Sequence, residues 1–385
     1  MAVAMGISRF AYTPLLPTMQ AAFGWSVTQV GDLASVNYLG YLVGALAAPR
    51  LLRAAGPDPS LLLAIALAGC VLTSALGAFA DSYLMWCLLR LLAGVASALC
   101  LVLVTTRLGA LLAREPGTKL GHLHFSGVGL GIIASVLLVR DAGAPQIETV
   151  QQHWAALAGI SAALLLPAWA LFRSVPTPPA PSPESPQPHL PIVDAGAPPP
   201  SRLLPVIAGY GLFGFGYIIT ATFIVAMAQN TASNAAEAQN VWLIAGLAAM
   251  PSVPLWHWLG QRVGLTAALG AAYLVEAGSV LLAATGESTL ALNLAAALLG
   301  GTFAGITALG LALGSQLAGA QRASVIGTMT AVFAVGQLLG PGIAGRLTAF
   351  SNSFLLPSVV AAGTLVLAAA LLLRLGRARE RPASG

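Results

Sequence analysis

Almost the whole chain consists of apolar runs about twenty residues long, interrupted only by short polar or Pro/Gly-rich breaks, and this patterning leaves very few folds open. A helix rises about 1.5 Å per residue, so roughly 20 residues cross about 30 Å of hydrocarbon. Inside lipid no water satisfies the backbone, so an open chain can cross only as helices. Twelve runs qualify: 2 to 23, 31 to 54, 60 to 80, 83 to 112, 119 to 140, 153 to 173, 203 to 229, 239 to 260, 265 to 285, 289 to 317, 322 to 346 and 352 to 375. With 57% hydrophobic and 8% charged residues, no one or two soluble cores could hide this surface. The expectation is an all-α integral membrane protein with twelve transmembrane helices, embedded in a lipid bilayer.

The pI near 9.4 does not point to nucleic acid, because the cations stand singly between apolar runs and never alternate with aromatics on a polar face. They sort by topology instead. Arg50, Arg53, Arg114, Lys119, Arg173, Arg202, Arg262, Arg322 and the tail arginines 374, 377, 379 and 381 fall on one side, against Arg140 and Arg346 on the other. Lys and Arg are retained on the cytoplasmic side, so both termini are expected there, in a multi-pass protein of the bacterial inner membrane. The first run lacks a basic n-region and a cleavage site, so it reads as a retained helix, and its abrupt start leaves room for an upstream initiation codon. Cys70, Cys87 and Cys100 lie in apolar runs without metal-ligand or disulfide spacing, and no metal or cofactor is expected.

Between the sixth and seventh runs, residues 174–202 are saturated with proline and read as a flexible cytoplasmic linker. The linker separates 1–173 from 203–376, with 377–385 as a tail. Laying Gly6 on Gly214 brings Arg9 onto Tyr217, Tyr12 onto Thr220 and Met19 onto Met227, so the seventh run reads as a diverged copy of the first. A duplicated six-helix half is the architecture expected when two bundles rock about a site near the membrane midplane.

The most specific run is Gly336-Gln-Leu-Leu-Gly340-Pro341-Gly-Ile-Ala-Gly345, in which small residues let another helix approach and proline permits a bend. Gly336, Gly340, Pro341 and Gly345 are therefore hinge candidates. A looser version occurs at Ser126, Gly127, Gly129, Gly131 and Ala134. Ordinary close packing explains either stripe equally well. Pro14 and Pro17 are expected to break the first helix just beyond Arg9 and free carbonyls toward the interior, which makes them further hinge candidates.

An arginine within a span is costly and should face the protein interior. Arg9 and Arg90 are the two that qualify as substrate contacts, with snorkelling to an interface as the competing fate. Tyr12, Asn37, Tyr38, His124, Tyr217 and Thr220 are the further candidate pocket residues; Tyr41, Thr302 and Thr307 are plausible walls, and interhelical hydrogen bonding is the alternative for each. Asp32, Arg90 and Glu276 are the proton-coupling candidates, Glu276 being the acid nearest the middle of a span.

The runs GISRFAYTPLLP, SVNYLGYLVGAL, RLLAGVASA, FSGVGLGI, GLFGFGYIITATF and GQLLGPGIAG resemble the YbfB/YjiJ family of bacterial major facilitator superfamily (MFS) transporters over nearly the whole chain. The resemblance implies the MFS fold of two pseudo-symmetric six-helix bundles. It also implies an Arg90 segment like the motif tied to proton transfer, a Gly336 to Gly345 run like the motif tied to antiporters, and a ninth helix on the outside of its bundle. The gate motif Asp-Arg-x-Gly-Arg is replaced by AAPRLLRAAG, where Arg50 and Arg53 remain and the acid is gone. The expected function is secondary active transport by a monomer of a small organic anion or zwitterion, coupled to protons, with drug or metabolite efflux by proton antiport as the alternative. A non-transporting membrane sensor on the same fold is the more distant rival. The five dispersed histidines argue against an enzyme.

Overall fold

The computed structural model describes residues 1–56, 58–114, 123–140, 145–174, 203–229 and 231–377, without the side chains of 109–114, 123, 320, 323 and 374–377. The expected linker beyond Ser174, together with Lys119, His122, Asp141, His189, Arg202 and the tail beyond Arg377, lies outside the described residues, as do the Arg114 and Arg374 side chains.

The described chain is helical throughout. A π-helical stretch, Ala2–Ile7, leads through a turn into α1 (Tyr12–Phe23), followed by α2 (Val27–Ala55), α3 (Ser60–Gly77), α4 (Tyr83–Arg114), α5 (Leu123–Val139) and α6 (Ile147–Ser174). The second half holds α7 (Leu204–Ala228), α8 (Ala235–Val263), α9 (Leu265–Thr285), α10 (Thr289–Ala318), α11 (Arg322–Ser351) and α12 (Leu355–Arg377). Among the described residues, nine of these helices are long and apolar enough to cross a membrane. The others are α1, whose regular part has only 12 residues, α5, described from Leu123 onward, and α8, which carries Pro251 and Pro254 and a polar first turn.

Local chemistry sets the ends. The Ser26 hydroxyl accepts from the Gln29 backbone N–H and the Gln29 side chain accepts from the Ser26 N–H, a capping box that starts α2 at Val27, four residues before the apolar run. Asn234 caps α8 through the Glu237 N–H at 2.9 Å, again ahead of the expected start at 239. The first helix departs from expectation. It breaks at residues 8–11, around Arg9, and not beyond it. Pro14 becomes the third residue of α1, where a missing N–H costs nothing, while Pro17 sits inside the helix.

Helix pairing repeats at an offset of six. Within the first half α2 packs on α4, α3 on α4 and α6, and the π-helical stretch on α5; within the second α8 packs on α10, α9 on α10 and α12, and α7 on α11. Between the halves the main pairs are α2 with α11 and α5 with α8, joined by α1 with α7. The small-residue stripes lie in these contacts. A Cβ on Gly31 of α2 would stand 2.5 Å from the Pro341 carbonyl oxygen of α11, and one on Gly345 would stand 2.8 Å from the Val27 carbonyl. On its other face α11 turns Gly340 toward α7, where a Cβ would stand 3.0 Å from the Phe215 carbonyl oxygen. Gly129 of α5 meets α8 as closely, since a Cβ there would stand 2.5 Å from the Gly246 carbonyl oxygen.

Candidate functional site

The break in the first helix leaves carbonyls without helical partners, and Arg90 of α4 takes two of them. Its Nη1 donates to the Ser8 carbonyl at 3.0 Å and its Nη2 to the Arg9 carbonyl at 3.1 Å, while the guanidinium lies 4.9 Å from the Tyr12 ring centroid. Arg90 is buried, as the cost of a lipid-facing charge demands. It therefore clamps the irregular backbone that presents the neighbouring Arg9. Tyr12 donates to the Val30 carbonyl at 2.8 Å, and Asn37 donates to the Arg90 carbonyl at 2.7 Å. These two fasten α1 and α4 to α2 and do not reach the Arg9 guanidinium.

Arg9 points the other way, toward the second half. It is 3% exposed, its Nη2 donates to Gln337 Oε1 of α11 at 2.7 Å, and the Gln337 amide in turn donates to the Tyr217 hydroxyl of α7. Tyr41 and Tyr38 of α2 offer their ring faces to the guanidinium at 4.2 and 4.6 Å from the centroids, with Phe10 at 5.4 Å. Cation–π contacts of this kind are worth about 2 kcal/mol when desolvated, which offsets part of the burial cost without neutralising the charge. Among the described residues no carboxylate pairs with Arg9 or Arg90, and the ion pair found there is Asp32 with Arg346. The result is a buried, uncompensated positive charge at the junction of the two halves.

Aromatic rings continue from that charge into the second half. Tyr217 lies nearly parallel to Phe303 of α10 (6.1 Å, 6°) and to Phe333 of α11 (5.9 Å, 8°), and Phe213 stacks on Tyr217 at 4.8 Å. Phe10 reaches across to Phe303 and Trp242 edge-on. Arg9, Tyr38, Tyr41, Tyr217 and Gln337 thus converge. Thr220 is fully buried one turn along α7, next to Ala221, whose carbonyl accepts from Thr13 at 2.8 Å. His124 lies at the described start of α5, its ring 4.0 Å from that of Phe125, and is not among the groups around Arg9.

The three proton-coupling candidates separate. Asp32 of α2 accepts from both Arg346 terminal nitrogens, at 2.6 and 3.1 Å, across the halves. Beside it the Gly342 N–H donates to Ser35 at 3.0 Å. Arg90 has both terminal nitrogens committed to the backbone carbonyls of Ser8 and Arg9. Glu276 of α9 is fully buried and hydrogen-bonded to Thr302 of α10, so its side chain faces a neighbouring helix although the resemblance puts the ninth helix on the outside. Gln337 and Arg346 make contacts at these sites and are not among the candidates that the sequence singles out; a glutamine amid GxxxGPxxAG, a polar amide at mid-span, is the available signal for the first.

Among known structures, a crystal structure of a mutant of the nucleoside transporter NupG superposes with a TM-score of 0.75 at 16% identity, over 97% of this chain and 98% of that one. The crystal structure of NupG itself gives 0.70 at 16% identity, over 98% of both chains. At that identity the likeness concerns the fold. No curated protein matches the chain by sequence. A family model described as the uncharacterised MFS-type transporter YbfB matches residues 1–373. With that match over nearly its full length, and twelve helices among its described residues, the chain belongs to the YbfB family of MFS-type transporters.

Proposed function

We propose that the protein is a proton-coupled secondary transporter in which two six-helix bundles, 1–173 and 203–376, alternate around an organic anion or zwitterion held at Arg9. The observation that carries this reading is the buried Arg9 guanidinium, bonded to Gln337 and flanked by Tyr38 and Tyr41 but matched by no acid among the described residues. A ligand carboxylate supplies the missing counter-charge, and a charge-assisted hydrogen bond contributes about 1.5–3 kcal/mol. Because Arg9 comes from one half and Gln337 and Tyr217 from the other, a ligand binding there favours one relative placement of the halves, which is what transport by alternating access requires. The six-helix offset in helix pairing supports the two-bundle arrangement. Hydrogen bonds between α2 and α11, donated by Thr28 and accepted by Asp32 and Ser35, support closure at the end where α2 begins, the periplasmic end in this reading.

The parallel rings of Tyr217, Phe303 and Phe333 favour a second reading, a planar uncharged or cationic solute lying against the aromatic face. The structural neighbour NupG, a nucleoside transporter, makes nucleosides one class to include. A thermal-shift screen of the purified protein separates the readings, since a ligand that binds only the folded state at 100 times its Kd adds about 2.7 kcal/mol. Stabilisation by carboxylates that weakens in Arg9→Gln supports the anion site. Stabilisation by nucleosides or lipophilic cations alone, indifferent to Arg9→Gln, replaces it with the aromatic reading.

A further inference from the structure

Glu276 is the one acid that the described structure buries completely, and its hydrogen-bond partners constrain its charge. Its Oε2 contacts the Thr302 hydroxyl and its Oε1 has no partner. Thr302 is itself committed, with its oxygen 2.6 Å from the Leu298 carbonyl and 3.2 Å from the Leu299 carbonyl. A hydroxyl has one hydrogen. If that hydrogen went to Glu276, the Thr302 oxygen would face the Leu298 carbonyl oxygen at 2.6 Å with nothing between them. With the hydrogen on Leu298, Thr302 can only accept from Glu276, and the carboxyl must be the donor.

We propose that Glu276 is a neutral carboxylic acid in this conformation and is the site that carries the coupling proton. The proposal rests on reading the protein as a proton-coupled transporter. The surroundings agree with a neutral group. The helices packed on α9 are α7, α8, α10 and α12. Of their titratable residues, α7 contributes Tyr210 and Tyr217, α8 has Glu237, His257 and Arg262 in its outer turns, α12 has Arg374 and Arg377 in its last turn, and α10 has none. On α9 itself Tyr273 lies one turn away, packed near Phe213. Among the described residues an ionised carboxylate there would have neither a cation nor a second donor, which a buried charge cannot sustain. Release therefore waits for water to enter between α9 and α10. The O–H bond of Glu276 then breaks toward that water, forming hydronium and a carboxylate that the entering water solvates, while the Thr302 hydroxyl keeps its hydrogen on Leu298. Thr302 adjoins Phe303, whose ring stacks on Tyr217 beside Gln337 and Arg9, so the same turn of α10 faces both the proton and the substrate site.

The test is infrared spectroscopy of the full chain in lipid at neutral pH, where exposed acids are ionised, on the wild type, Glu276→Gln and Thr302→Val. The expected result is a neutral-carboxyl C=O band that Glu276→Gln removes and that Thr302→Val moves to higher frequency by taking away its acceptor. A spectrum from which Glu276→Gln removes no such band overturns the protonation assignment. If Glu276→Gln does not fold, an unshifted band in Thr302→Val does the same. No substrate is needed, so this result is separate from the anion reading. The coupling role is read in proteoliposomes as solute-driven alkalinisation, expected in the wild type and abolished in Glu276→Gln. Its persistence in that variant, or its absence from the wild type, overturns the role.

Discussion

Replacing Gly31 by alanine should push the protein toward opening at the end where α2 meets α11. A Cβ at position 31 would stand 2.5 Å from the Pro341 carbonyl oxygen, 3.2 Å from its carbon and 3.4 Å from the Gly345 Cα. All three atoms are backbone, so no side chain can rotate away, and α2 and α11 must separate by about 1 Å to restore ordinary contact. Overpacking of this kind costs about 1–3 kcal/mol. The cost is borne only where the two helices touch, so a state in which they have parted escapes it, and the equilibrium shifts by roughly fivefold to 150-fold because about 1.4 kcal/mol is a factor of ten. Gly94 is the control, since a Cβ there meets the Asn37 carbonyl within the first half and strains every conformation alike. Spin labels at the exposed positions Ser82 and Ser353, in a background lacking the three cysteines, report the separation between the halves at that end. Gly31→Ala is expected to populate a longer distance, and Gly94→Ala to lower thermal stability with the distribution unchanged. An unchanged distribution in Gly31→Ala would refute the idea that this contact parts in the working cycle.

The Asp32–Arg346 pair lies at the same end and is 34% and 60% exposed on its two sides, so Asp32→Asn should shift the ratio of long-distance to short-distance populations by no more than about fivefold, the roughly 0.2–1 kcal/mol of an exposed pair, and the swap Asp32→Arg with Arg346→Asp should restore it. Gln337→Leu leaves Arg9 without its side-chain partner across the halves, and carboxylate affinity measured by calorimetry should fall about tenfold or more, as expected for losing a charge-assisted bond. Asp58, outside the spans, accepts from the Ser60 N–H and hydroxyl at 3.1 and 3.0 Å, which hold its carboxyl below the usual carboxylate range. A depressed folded value means that the stabilisation is complete above the ordinary carboxylate range and is lost as pH falls through the folded value. Thermal melts should therefore show the wild type losing stability relative to Asp58→Asn on acidification, and parallel pH profiles for the two would contradict it.

The helices are legible because lipid enforces a length and a composition that a sequence displays openly. Their ends are less so. The start of α2 at Val27 lies four residues ahead of the apolar run because the Ser26–Gln29 capping box, and not hydropathy, sets it. Arg9 and Arg90 are legible as charges that must face protein, and both do. Which one is presented to the second half is not legible, since that depends on the turn at residues 8–11 and on Arg90 binding the carbonyls the turn exposes. Pairings across more than 300 positions, Arg9 with Gln337 and Asp32 with Arg346, leave no local trace. Asn37 and Tyr12 illustrate the reverse case, because polar side chains inside spans also bind one helix to another, and both do so here.

The most direct test of the account is uptake by proteoliposomes of a carboxylate identified in the thermal-shift screen, with and without an imposed pH gradient, in the wild type and in Arg9→Gln. The account predicts gradient-driven accumulation in the wild type and its loss in a folded Arg9→Gln protein. Equal accumulation by both, or uptake only of uncharged and cationic solutes, would contradict an anion site at Arg9.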